Sequence, residues 1–169
     1  MEIRIKKKDS NAIIPTKAHP SDAGMDLYVH SIEDKSDGSK FVCFGVAFEI
    51  PKGYMMNIVP RSSLSKYGWV LANSFGVVDS DYRGYVKAWF RPLMNGTIEA
   101  YHIDVIDNQI STHELEDNIR LNYNNFPYEE GDRAAQALIL PVPSVSLTEV
   151  SELSETDRGD GGFGSTNNK

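Results

Sequence analysis

The chain has one cysteine, Cys43, in 169 residues, so no disulfide can form within it and no cysteine cluster can hold a metal. Its four histidines, His19, His30, His102 and His113, show no ligand spacing such as H-x-x-x-H and read as ordinary buried or surface residues. No apolar run approaches the ~18 residues of a membrane-spanning helix, so no membrane partner is expected. The lysines of MEIRIKKKDS are followed by no apolar stretch, so this start does not read as a secretory signal. A cytoplasmic location is therefore expected, that of a host cell if the source is viral, and Asn95-Gly96-Thr97 reads as a turn rather than a glycosylation site. A basic excess is also lacking. The net charge of −7 argues against general nucleic-acid binding, although a few arginines and a divalent metal can still make a local site for a small anion.

Helical periodicity is scarce, and what fills the chain instead is alternation with a period of two. In FVCFGVAFEI (41–50), Val42, Phe44, Val46, Phe48 and Ile50 fall on one face, and smaller residues fall on the other. MEIRIK, DLYVH, GYMMNIV, YVKAWF and AQALILPV alternate similarly, and Pro15, Pro20, Pro51, Pro60, Pro92 and Pro141 punctuate the chain. The pattern predicts one all-β domain, a sandwich or barrel. Two short helices are expected. SSLSKYG (62–68) would make one or two turns capped by Ser62 or Ser63 and stopped by Gly68. STHELEDNIRLNY (111–123) has cap candidates in Ser111 and Thr112 and apolar residues at 115, 119 and 121.

Five stretches carry chemistry. RGDGGFGST (158–166) approaches the phosphate-loop pattern, but Ser165 stands where its lysine belongs, and no strand–helix context surrounds it. Its glycines can still wrap backbone N–H groups around phosphate, Arg158 adds a forked cation, and Phe163 can stack on a flat ring. PRSS places Arg61, Ser62 and Ser63 at the start of a short helix, a combination that favours an anion. GVVDSDYRG sets Tyr82 beside Asp79 and Asp81, a ring next to a carboxylate able to activate water. GDRAAQALI leads into a strand carrying Gln136, and SDAGMDLY sets Asp26 at a strand start behind a glycine. Each stretch alone has an ordinary structural reading as a turn, cap or tail.

Taken in order, SDAGMDLY, PRSS, GVVDSDYRG, GDRAAQALI and RGDGGFGST resemble the five motifs of the trimeric dUTP pyrophosphatases (dUTPases). The resemblance runs from about residue 21 to the C-terminus, and motifs three and five are its most specific parts. It implies a jelly-roll-like (β-clip) fold, a homotrimer whose sites draw on all three subunits, and Mg²⁺-assisted hydrolysis of dUTP to dUMP and diphosphate. That reaction limits uracil in DNA and supplies dUMP for thymidylate synthesis. On the same resemblance, Asp79 is the base that orients water toward the α-phosphorus, and Tyr82 packs on the deoxyribose where a 2′-hydroxyl would collide. Backbone groups around Gly76, Val77 and Val78 read the uracil, assisted by Asn73. Arg61, Ser62, Ser63 and Gln136 contact phosphates or water, and Asp26 meets the metal through its waters. Residues 1–157 are the β-domain. Residues 158–169 are a lid in which Arg158, Gly164 and Ser165 close on the triphosphate while Phe163 stacks on the base.

The chain departs from the family pattern in places. Ser63 replaces the usual glycine of motif two, and about 25 residues (roughly 97–127) are inserted before motif four. The insert reads first as a surface excursion and second as the place where a regulatory protein partner would bind. The WFRP run (89–92) resembles a bacterial and phage subgroup and puts Trp89 or Phe90 near the base. Two rival readings remain: a dCTP deaminase-like enzyme and a regulatory nucleotide-binding protein. Deamination needs a glutamate on the strand after motif three, where Trp89 stands.

Overall fold

The computed structural model describes residues 1–93, 101–106, 109–114 and 125–161, with the strands at 101–106 and 109–114 described by their backbone alone. Among the described residues the elements are twelve strands and one short 3₁₀ helix: β1 Arg4–Lys7, β2 Met25–Tyr28, β3 Ser31–Asp34, β4 Lys40–Cys43, β5 Val46–Glu49, β6 Tyr54–Pro60, the helix Ser62–Tyr67, β7 Trp69–Leu71, β8 Gly76–Val78, β9 Lys87–Pro92, β10 Tyr101–Ile106, β11 Gln109–Glu114 and β12 Arg133–Pro141. They form two four-stranded antiparallel sheets, ordered β2-β12-β6-β8 and β3-β4-β9-β7, and two paired ribbons, β1-β5 and β10-β11. One core lies between them: Leu27, Met56, Ile58, Ala135 and Ala137 from the first sheet meet Val42, Trp69, Leu71, Ala88 and Phe90 from the second. The all-β, jelly-roll-like expectation holds.

The alternating run 41–50 is two strands rather than one. Its apolar face is buried throughout, from Val42 to Ile50, but the chain turns at Gly45, whose φ is +65°. A side chain there would stand 2.6 Å from the His30 ring and 2.9 Å from Ala12 Cβ. Only glycine permits both the left-handed φ and this approach, so β4 pairs with β3 and β9 while β5 pairs with β1.

The predicted turn at 62–68 is present, ended by Gly68 with φ 66°. Neither serine caps it; Arg61 occupies the cap position, with no side-chain hydrogen bond. The helix expected over 111–123 is contradicted in its first part, because residues 111–114 belong to β11, paired with β10 from Tyr101↔Glu114 to Ile106↔Gln109. Ser111 and Thr112 are β-compatible residues, and cross-strand pairing overrides their capping preference. The remainder of that helix, and the turn at Asn95–Thr97, lie outside the described residues. Phe126 packs edge-on against Trp69, with ring centroids 5.0 Å apart, so the end of the 97–127 stretch contributes to the core.

Candidate active site

Four of the five chemical stretches converge on the sheet β2-β12-β6-β8. Antiparallel register places Gln136 of β12 opposite Asp26 of β2 and opposite Val59 of β6. Side chains directly opposite share a face, so Asp26, Gln136 and Val59 project from the same side. Gln136 Nε2 donates to Asp26 Oδ1 at 3.2 Å. Gly24 lies under this amide: a Cβ there would come within 3.2 Å of it, which accounts for the glycine in SDAGMDLY.

Arg61 leaves the end of β6 and reaches across toward β2. Its Nε lies 3.5 Å from Asp26 Oδ1, and its Nη1 donates to the carbonyl of Arg133 at 3.3 Å. Arg133 itself donates from Nη1 to Asp26 Oδ2 at 3.3 Å. The carbonyl of Arg133 is available because β12 carries a register irregularity between Arg133 and Ala135; such bulges re-aim backbone and side chains beside functional sites. Asp26 is only 5% exposed, so its charge is held by two guanidinium groups and an amide rather than by water. Arg133 was not among the candidates from sequence. Its contact with Asp26 spans 107 positions, and no local pattern carries it.

At the start of the 3₁₀ helix, Leu64 N–H bonds to Arg61 C=O at 3.0 Å. The N–H groups of Ser62 and Ser63 precede that first bond and have no partner within the helix. Beside them, an open cleft of about 560 Å³ is lined by Arg61, Ser62, Ser65, Trp69, Ser74 and Arg91, among others.

Motif three occupies the edge strand. β8 pairs on one side with β6, through Ile58↔Gly76, Asn57↔Val77 and Met56↔Val78, and ends the sheet on the other. An edge strand presents unpaired backbone donors and acceptors, which is what recognition of a base by main-chain groups requires. The approach to β8 is tightly turned: Ser74 sits at φ 61°, and Phe75 N–H reaches the Asn73 carbonyl at 2.6 Å. Beyond β8, Asp79 is exposed. Tyr82 N–H bonds to its carbonyl at 3.2 Å, and Arg83 Nη1 ties the loop by donating to the carbonyls of Ser80 at 2.7 Å and Tyr82 at 3.0 Å. The Tyr82 ring lies over Gly84, where a Cβ would fall 2.2 Å from the phenol oxygen.

The structure does not bring all the candidates together. Continuing β8 by one residue sets Asp79 level with Met55, whereas Asp26 is level with Val59. Four residues along the strands is about 13 Å, and three strand spacings across the sheet is about 14 Å. Asp79 and the Asp26–Arg61–Gln136 cluster of one chain are thus on the order of 20 Å apart. Arg158 lies in an exposed turn of the C-terminal arm, its Nε donating to the Gly161 carbonyl at 3.0 Å. Phe163, Gly164 and Ser165 lie outside the described residues. Of the WFRP aromatics, Phe90 is fully buried, tilted against Phe126 at 5.4 Å, and is unavailable to a base. Trp89 faces outward from the other sheet and donates to Ser39 Oγ at 2.6 Å.

A divalent metal fits this donor set only as a passenger on phosphate. Among the described residues, no three His, Cys, Asp or Glu side chains converge. A carboxylate offers about four acceptor sites; three donors already approach Asp26, leaving room to meet a water of a Mg²⁺ that arrives with its own oxygen ligands.

Comparison with known proteins places this arrangement. The family model described as dUTPase matches residues 10–107 and 118–167; β10 lies within the match, and the gap at 108–117 takes in β11. The deoxyuridine 5'-triphosphate nucleotidohydrolase of Nautilia profundicola is 39% identical, over 98% of this chain and 99% of that protein. The Helicobacter hepaticus protein of the same name is 36% identical, over 98% and 89%. Among solved structures, the Staphylococcus bacteriophage 80alpha dUTPase with dUPNHPP superposes with a TM-score of 0.74 at 26% identity, covering 98% of both chains. With matches running through every motif that the sheet gathers, the chain belongs to the dUTPase family.

Proposed function

We propose that this protein hydrolyses dUTP to dUMP and diphosphate in sites that two or more copies of the chain complete together. The observation that carries this reading is the diagonal split of the sheet. A base that aims water at the α-phosphorus must be within hydrogen-bond reach of that water, and the groups that hold the phosphates must contact the same molecule. One chain keeps these halves on the order of 20 Å apart. Asp79, Tyr82 and the β8 edge of one copy would therefore face Asp26, Arg61, Ser62, Ser63 and Gln136 of another.

The surface around the site supports this assembly. Met55, Val59, Val77, Leu138 and Leu140 share the outward face with Asp26 and Gln136, by register. An apolar face of this kind is the sort that subunits bury. The arm after β12 leaves the body with Leu147 96% and Leu153 88% exposed, as expected of a segment that lies on a neighbour. A homotrimer is the closed arrangement that the family resemblance implies.

Within the completed site, backbone groups of Gly76–Val78 and Asn73 would read the uracil edge, and Tyr82 would lie against the sugar. Arg61 would leave its long 3.5 Å contact with Asp26 for phosphate oxygens, with the Ser62 and Ser63 N–H groups alongside. Asp79 would accept the proton of the attacking water while the P–O bond to the leaving diphosphate breaks; most of its contribution is aim. Mg²⁺, when carried by the triphosphate, supplies charge neutralisation, and Asp26 is the carboxylate that would meet its hydration shell. Arg158, Phe163, Gly164 and Ser165 would cover the nucleotide.

The test is a pair of inactivated variants. Incubation of the parent with dUTP, dCTP, UTP and dTTP plus Mg²⁺ should yield dUMP and diphosphate from dUTP. Asp79→Asn should bind nucleotide without turning it over, and Arg61→Ala should lose affinity for it. Co-expressed in equal amounts, the two should recover about a quarter of parent activity, the random share of sites that draw both intact residues from different copies. Co-expressed variants that stay inactive would place both residues in a site within one chain.

A further inference from the structure

A side chain outside all five motifs lies beneath the motif-two turn. Tyr128 precedes β12 and is 7% exposed. Its ring is fixed edge-on between Phe126, at 5.4 Å and 83°, and Phe90, at 6.2 Å and 62°. This clamp sets where the phenol oxygen points. The oxygen is buried and makes no hydrogen bond of regular geometry among the described residues. The groups close enough to act on its titration are Ser63, Arg61 and Tyr67 of the turn, together with Asp132. Burial is the largest influence and pushes the phenol up from its usual range, whereas the hydrogen-bonding pull of the nearby Ser63 hydroxyl and the charge of Arg61 act the other way, although the Ser63 contact falls short of regular hydrogen-bond geometry.

Buried hydroxyl groups are nearly always paired. The Ser63 hydroxyl is the group placed to complete that pairing. Ser63 stands where the family pattern has glycine, so this chain must place a hydroxyl that a glycine would not bring. We propose that Tyr128 is a positioning residue for phosphate binding: its hydroxyl pairs with that of Ser63 when the turn closes on the triphosphate, holding the Ser62 and Ser63 N–H groups toward the anion. Tyr128 does not touch substrate. It acts through Ser63, and the serine at that position and the tyrosine below it form one unit.

The inference rests on the function proposed above, and its test separates the two. The variants are Tyr128→Phe, which keeps the ring clamp and removes one oxygen, Ser63→Gly, and the double variant. Each is measured for binding of magnesium with inorganic triphosphate by calorimetry, for dUTP turnover, and for thermal midpoint. Tyr128→Phe should weaken triphosphate binding and raise KM roughly three- to tenfold, the range of one net hydrogen bond. Its kcat should stay within about twofold, and its thermal midpoint should not fall. In the Ser63→Gly background the same change should have no further effect, since coupled partners are non-additive. An unchanged affinity in Tyr128→Phe, an equal loss with Gly at position 63, or a parent that does not bind triphosphate overturns the proposal. A parent that binds triphosphate with this coupling but leaves dUTP intact would uphold it and sink the hydrolase reading instead.

Discussion

Asp26 and Asp9 show how differently one residue type is used in this fold. Asp26 is buried among Arg61, Arg133 and Gln136 and belongs to the site. Asp9 is a surface residue with a structural task. It receives His30 Nε2 at 2.9 Å and the Asn11 and Ala12 N–H groups at 2.9 and 3.3 Å, fastening the turn after β1 to the junction between β2 and β3. The hydrogen bond from His30 is the largest cause holding its carboxyl below the usual value of 3.8. A depressed carboxyl stabilises the fold above its unfolded pKa, and that contribution is lost as pH falls through the lower, folded value. Stability should therefore decline below about pH 3.8 as Asp9 protonates. Asp9→Asn should flatten this part of the acid limb in urea titrations from pH 5 to pH 2, leaving stability near pH 7 lower than in the parent. An acid limb of unchanged slope would remove Asp9 from it.

At the scale of elements, the outward face of β6 and β12 is the most consequential. Leu138 faces Asn57, which in turn faces Val77 of β8, and Asn57 Oδ1 is buried without a partner among the described residues. Leu138→Glu would set a charge on this face, where desolvation is costly only if another copy covers it. Sedimentation should then show monomers with the parent's β-sheet circular dichroism and less than a few per cent of its dUTP turnover. A variant that remains assembled and active would place the subunit contact elsewhere.

Elements also show what the sequence made legible. Alternation identified the buried face of β4 and β5 and marked β6, β9 and β12 as strands, because a period of two is a local property. It missed the break at Gly45, which depends on His30 and Ala12 coming close from elsewhere in the chain. It also read residues 111–114 as helix, because the pairing of β11 with β10 outweighs the caps and leucines around it. For the site, short motifs named Asp26, Arg61, Gln136 and Asp79, since their spacing repeats a known order. Arg133 and Tyr128 were not legible. The first acquires its contact through the register of β12 against β2, and the second through an aromatic clamp assembled from two segments far apart in the chain.

For the whole molecule, the arm is the segment on which the proposed assembly makes its clearest demand. After Pro141, among the described residues, a backbone tie to the body runs from Val142 N–H to the Gly53 carbonyl at 2.8 Å. Val145, Leu147, Val150 and Leu153 are then exposed. Apolar residues spaced along an extended segment gain little unless another surface covers them. Removing residues 158–169 should leave this region, the thermal midpoint and the assembly as they are, while kcat/KM for dUTP falls by at least about tenfold, the scale of one lost base stack. Steady-state kinetics beside a thermal melt would check this, and undiminished turnover would exclude a role for the last twelve residues.

The diagonal separation of Asp79 from Asp26 and Arg61 has a consequence for supply. With the site completed between copies as proposed, a newly made chain would be chemically inert, and output would depend on encounters between chains rather than on their number alone. At low expression, nucleotide consumption would climb more steeply than the amount of protein made, so the threshold at which the reaction begins is written into the spacing of one sheet.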